Sequence, residues 1–195
     1  MITFDYWTEP SEEVIKVFAN AFDIVLHKTE CELERLFNRE LNDLNSIHEC
    51  VKALDSTYST FLFRDFETIC NFIHENQIVS RAKDGDISVV RLLADRTNTN
   101  TTKNRFVFAT KFCSFCNPYV FPIFDSIVPD VLLLINEEIE FDNSLSAREI
   151  ERLANEFDYE AYISILNRFI THFKLSECIS YRDIDKYLWI VGKGL

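Results

Sequence analysis

The chain has 195 residues, 47% of them hydrophobic and 14% aromatic, with eighteen Phe, three Gly and four Pro, and a formal net charge of −12. That apolar content suffices for a real core, in one domain or in two small lobes sharing a core. Scarce Gly argues against phosphate-cradling loops, tight hairpins and Rossmann-type turns, the charge disfavours non-specific nucleic-acid binding, and no apolar run approaches the ~20 residues of a membrane span.

Pro10 and Ser11 open the first predicted helix, with Glu12 and Glu13 near its positive end. Its stripe is Val14, Ile15, Val17, Phe18, Ala21, Phe22, Val25 and Leu26. Thr29 with Glu32 reads as a capping box for a second helix, and Ser46 with Glu49 for a third, short one. Asp55 to Asp65 breaks the helical period and is expected to be an irregular loop. Asp65 starts a helix through about Glu75, and Asp86 caps another running to about Asp95. Thr97 to Asn104 is the most polar segment and reads as a surface loop. Further helices are expected from Asp125 or Ser126, from the Ser146–Glu149 box, from Asp158 or Tyr159, and from the Ser180–Asp183 box, the last ended by Gly192 and Gly194. The expected fold is therefore all-α, a compact multi-helix domain of about nine helices. It spans residues 1–195, undivided or as two lobes: about 1–80 with the C-terminal helices, and about 81–140.

The start, MITFDYWTEP, has neither a basic n-region nor an apolar h-region. With six Cys and no leader, a cytoplasmic protein with reduced thiols is expected. Cys113 and Cys116 form a lone CxxC, and His27, His48, His74 and His172 are scattered. Neither pattern supplies the four ligands of a zinc site, so no metal and no cofactor is expected.

The stretch from Phe106 to Val128 carries the chemistry. Lys111 sits inside the apolar run Phe106 to Phe115, followed by an Asn117-Pro118 stop and by Pro122-Ile123-Phe124-Asp125. A desolvated lysine loses affinity for its proton and becomes a candidate nucleophile. Its alternative is a packed stem with the ammonium in water. Asp125 is a natural N-cap and equally a candidate carboxylate partner. From Arg81 to Lys111, seven basic residues face three acidic ones, which makes an electropositive lip or a chance cluster on a solvated face. Tyr58, Ser59 and Thr60 could hydrogen-bond a ligand or tie down their own loop.

The segment from Arg105 to Val128 resembles the helix-hairpin-helix DNA glycosylase superfamily, in particular its 8-oxoguanine glycosylase branch. Thr110-Lys111 matches the lysine position, and Pro122 to Asp125 followed by Val128 matches the aspartate turn. Val107 and Ala109 stand where that superfamily has its hairpin glycines. A group of bacterial proteins said to share this fold is similar over most of the chain, including Tyr58-Ser59-Thr60 and Asp185-Lys186-Tyr187-Leu188-Trp189. The resemblance implies a DNA glycosylase/AP lyase acting on or sensing nucleic acid, in genome maintenance or phage defence. It implies Lys111 and Asp125 as catalytic residues, Arg96, Lys103 and Arg105 as nucleic-acid contacts, and Tyr58, Thr60, Phe108 and Phe112 as pocket residues. The lysine would attack the sugar carbon as the base departs, forming a Schiff base, with the carboxylate stabilising the cationic sugar. Two alternatives stand beside it. One is a non-enzymatic module whose acidic surface meets a protein partner, with a vestigial site. The other is a small-molecule or nucleotide-handling enzyme using the same pocket.

Overall fold

The computed structural model describes residues 9–59, 65–96 and 102–194, and the side chains of all of these except 25–29 and 102–105. The fold is all-α, with ten helices among the described residues. These are α1 (Glu12–Phe37), α2 (Leu44–Tyr58), α3 (Phe66–Glu75), α4 (Ile78–Lys83), α5 (Ser88–Arg96), α6 (Thr102–Cys116), α7 (Val128–Ile139), α8 (Ala147–Glu156), α9 (Tyr159–His172) and α10 (Tyr181–Lys193). One buried cluster draws on helices from α1 to α10.

Helix α6 is the central element. Phe106, Phe108, Ala109, Thr110, Phe112, Cys113 and Ser114 are all inaccessible to solvent. A helix apolar on every side needs neighbours on every side, and α6 packs against α1, α2, α4, α5 and α8. Helices α1 and α10 lie antiparallel. Phe18 meets Tyr187 and Phe22 meets Trp189 at one end, while Glu30 meets Arg182 at the other.

Several helix boundaries differ from the sequence expectation. Thr29–Glu32 starts no new helix, because α1 runs unbroken from Glu12 to Phe37. Ile15, Ala19, Phe22, Leu33 and Phe37 keep one buried stripe through that point, and continuous burial outweighs a local capping signal. Helix α2 is capped by Asp43, whose carboxylate accepts the Ser46 N–H at 2.9 Å, and it continues through Tyr58. The expected loop from Asp55 is thus helical over its first four residues, and Ser59 at φ +50° ends the helix. Helix α4 is too short for a periodic signal to announce it. Helix α6 begins at Thr102, inside the expected polar loop, of which 97–101 lie outside the described residues.

The caps at Ser146, Asp158 and Ser180 form as expected, accepting from Glu149, Ala161 and Asp183 N–H groups. Gly194 caps α10 at φ +66°, but Gly192 lies within the helix. A Cβ there would fall 2.4 Å from Ile127 Cγ2 and 2.7 Å from Val131 Cγ2. Gly192 is therefore the position at which α10 closes onto the start of α7.

Candidate active site

The turn that carries Asp125 is held by three hydrogen bonds from two helices, α6 and α9. Thr110 Oγ1, on α6, accepts the Phe124 N–H at 3.1 Å. The Tyr159 hydroxyl donates to Pro122 O at 2.8 Å, and the Tyr162 hydroxyl to Ile123 O at 2.7 Å. Burial pushes both phenols well above their ordinary pKa, so they remain protonated donors. Asp125 Oδ1 then accepts the N–H groups of Ile127 at 2.7 Å and Val128 at 2.8 Å. It serves the turn leading into α7 rather than the formal N-cap position, which Ile127 occupies. Because Thr110 precedes Lys111 and Phe124 precedes Asp125, the bond between Thr110 and Phe124 is what sets the lysine and the aspartate into one neighbourhood.

Lys111 is buried, at 7% exposure. Its Nζ lies 3.8 Å from the centroid of the Tyr58 ring, a cation–π arrangement. Among the described residues it forms no ion pair. A second carboxyl joins this corner from α10. Asp185 is partly exposed as a residue, but its Oδ1 is enclosed and has no hydrogen-bond partner among the described residues. Burial and the nearby charge of Asp125 push its pKa up to about 8, against the opposing pull of Lys111. At neutral pH Asp185 therefore holds its proton, and the surroundings of the two carboxyls differ. Asp125 has two backbone amides; the enclosed oxygen of Asp185 has none.

Beside this corner lies a layer of paired charges between α1 and α10. Glu30, 4% exposed, accepts from the Tyr58 hydroxyl and from Arg182. Arg182 also reaches Glu34 at 3.4 Å and stacks its guanidinium 3.8 Å over the Phe115 ring. Lys186 pairs with Asp23 at 2.6 Å and with Glu34 at 3.8 Å. Tyr58 thus has two duties: its ring supports Lys111, and its hydroxyl fixes Glu30.

The structure brings Lys111, Asp125 and Tyr58 into the same region. Phe108 and Phe112 lie in the closed core, where Phe112 meets Phe37 edge-on at 5.3 Å. The α6 aromatic on the site side is instead Phe115, 6.3 Å from the Tyr58 ring and under Arg182. Thr60 lies outside the described residues, as do the side chains of Lys103 and Arg105. Arg96 is exposed at the end of α5, 5.3 Å from the Phe72 ring. Of the other basic residues in that segment, Arg81 pairs with Asp86 at 2.7 Å and Arg91 with Asp95 at 3.9 Å, which neutralises part of the expected lip. Val107 and Ala109 lie within α6, so no turn interrupts the chain there. Cys113 is wholly buried, and burial raises the pKa of both CxxC thiols, the signature of packed rather than reactive cysteines. Among the described residues, no group of three or more His, Cys, Asp or Glu is placed to hold a metal ion. No described helix is long and apolar enough to cross a membrane.

Glu30, Arg182, Asp185 and Lys186 were not singled out as site residues from sequence. For Glu30, Arg182 and Lys186 the signal was present as charges repeating at helical spacing within amphipathic helices: Asp23, Glu30 and Glu34 on α1, and Arg182 and Lys186 on α10.

A model of the HI_0787_N family, described as an N-terminal domain, matches residues 12–120, and the chain belongs to this family. The matched span holds Glu30, Tyr58 and Lys111 and ends before the Asp125 turn. An uncharacterized protein of Haemophilus influenzae strain Rd is 32% identical over 141 residues, which cover 72% of this chain. The chain spans 63% of the length of that relative. No solved structure matches the chain.

Proposed function

We propose that this protein is a divergent DNA glycosylase/lyase that acts on nucleic acid, in genome maintenance or phage defence, with Lys111 as nucleophile and Asp125 as its carboxylate. The observation that carries the reading is the Lys111 ammonium, buried on the Tyr58 ring without an ion pair among the described residues, in one region with Asp125. Burying a cation without a carboxylate partner is costly, and sites that do so commonly use it. In the proposed reaction the Lys111 amine, having lost its proton to solvent, attacks the sugar carbon, and the base leaves with the bonding electrons. Asp125 offsets the positive charge developing on the sugar. The target nucleotide must leave the base stack to reach the lysine.

Borohydride trapping on DNA carrying an abasic site tests the reading. Wild type is expected to form a covalent adduct, and Lys111→Gln none. Absence of an adduct with wild type would exclude the lyase.

A second reading is favoured by the unbroken α6 at Val107 and Ala109 and by the paired Arg81 and Arg91. It is a non-enzymatic module whose acidic surface meets a protein partner and whose lysine–aspartate site is vestigial. That reading predicts no salt-dependent DNA binding, whereas the glycosylase requires it.

A further inference from the structure

We propose that Asp185 is the proton donor of this site, passing its carboxyl proton to the base as the base leaves the sugar. This inference rests on the glycosylase reading above and adds a residue outside the lysine–aspartate pair.

Buried polar atoms nearly always have a partner, and an exception calls for an explanation. Asp185 Oδ1 is enclosed and has none among the described residues. The surrounding groups come from four other elements. Lys111 acts on Asp185 from α6, Asp125 from the turn before α7 and Glu30 from α1, while Arg182 acts from its own helix. Tyr162, on α9, feels both Asp185 and Asp125 and already donates its hydroxyl to Ile123 O. The remaining charges on that face of α10 and α1 are satisfied by each other, through Glu30–Arg182 and Lys186–Asp23. Asp185 is therefore the acid left over when the structural pairs are closed.

Its environment also gives it the right protonation state. Burial, then the charge of Asp125, raise its pKa to about 8, so it still holds a proton at neutral pH. Asp125, by contrast, is engaged by the N–H groups of Ile127 and Val128. A carboxyl that keeps its proton at neutral pH is what a general acid needs.

The proton and electron count closes. The bond between the sugar carbon and Lys111 Nζ forms while the bond from that carbon to the base nitrogen breaks, and its electron pair leaves with the base. The Asp185 proton goes to the departing base, leaving a carboxylate. Attack leaves Lys111 as a cationic secondary amine, which gives one proton to that carboxylate and restores the acid.

The test separates this role from the lysine chemistry, because an abasic site has no base left to protonate and loses only water, whose proton solvent supplies. The full chain is assayed for base release on duplexes carrying 8-oxoguanine, hypoxanthine or uracil, and for borohydride trapping on an abasic duplex. Asp185→Asn is expected to lower base release about 100-fold or more while trapping stays within about threefold of wild type. Wild-type base release should fall about tenfold per pH unit above pH about 8, a limb that Asp185→Glu keeps and Asp185→Asn lacks. Folding of each variant is checked by its thermal midpoint. Unchanged base release in a folded Asp185→Asn overturns the donor role. Equal loss of base release and trapping overturns it too, by making Asp185 a residue that shapes the site. Wild type that traps the abasic duplex but releases none of the three bases keeps the lysine reading and overturns the donor. Wild type that traps nothing removes both.

Discussion

Two groups of buried charge lie side by side in this fold and are built on opposite rules. Between α1 and α10, Glu30, Glu34 and Asp23 each meet Arg182 or Lys186, and Tyr58 adds a hydrogen bond to Glu30. At the adjoining corner, Lys111 rests on an aromatic ring and Asp185 keeps an enclosed oxygen without a partner among the described residues. A buried charge that serves architecture must be paired, because an unpaired one costs several kcal/mol. The contrast teaches that the α1–α10 layer holds the helices in register, whereas at the Lys111–Asp125–Asp185 corner the lysine and Asp185 Oδ1 lack such pairing among the described residues.

Breaking the paired side should have the largest effect. Arg182→Met leaves Glu30 buried without its cation and is expected to cost about 3 kcal/mol in urea unfolding. Adding Glu30→Gln to that variant should recover most of the loss, since a neutral amide needs no cation. If the single substitution costs less than about 1 kcal/mol, the layer is not structural and the contrast fails.

The corner should respond with the opposite sign. In the folded chain Asp185 holds its proton up to about pH 8, against an ordinary value of 3.8. The folded state therefore binds more protons than the unfolded state across that window. Its contribution is present at low pH and is lost as pH rises from about 4 to about 8, then stays flat. Asp185→Asn cannot ionise, so its stability relative to wild type should rise steadily between about pH 4 and about pH 8. Parallel pH–stability curves for the two proteins would contradict this. The smallest effect is expected at the lysine. Lys111→Met forfeits a ring contact but no ion pair, and should shift stability by about 1 kcal/mol or less. A loss as large as that of Arg182→Met would place Lys111 on the structural side.

Much of the fold was legible because its signals are local. The Ser146, Asp158 and Ser180 caps depend on residues within three positions of each other, and they form as read. The Thr29–Glu32 box was misleading for the same reason. A local pattern cannot report that Leu33 and Phe37 continue the buried stripe of Ile15 and Phe22. Lys111 and Asp125 stood out as a charge in an apolar run and an acid after a proline turn, and Thr110 holds them together across fourteen positions. The rest of the site was hidden by distance. Glu30 and Arg182 are 152 positions apart, and only the antiparallel packing of α1 on α10 makes them partners. Asp185 was hardest to read, since its significance is a missing partner, and a missing partner has no sequence pattern.

The most direct measurement of the central claim is the identity of the residue that bonds to DNA. Wild type is reduced with borohydride on an abasic duplex, digested, and the adduct located by peptide mass. The account predicts that the adduct lies on Lys111, with the surface lysines Lys16, Lys52 and Lys83 unmodified. Adducts spread over those exposed lysines, with Lys111 untouched, would contradict it.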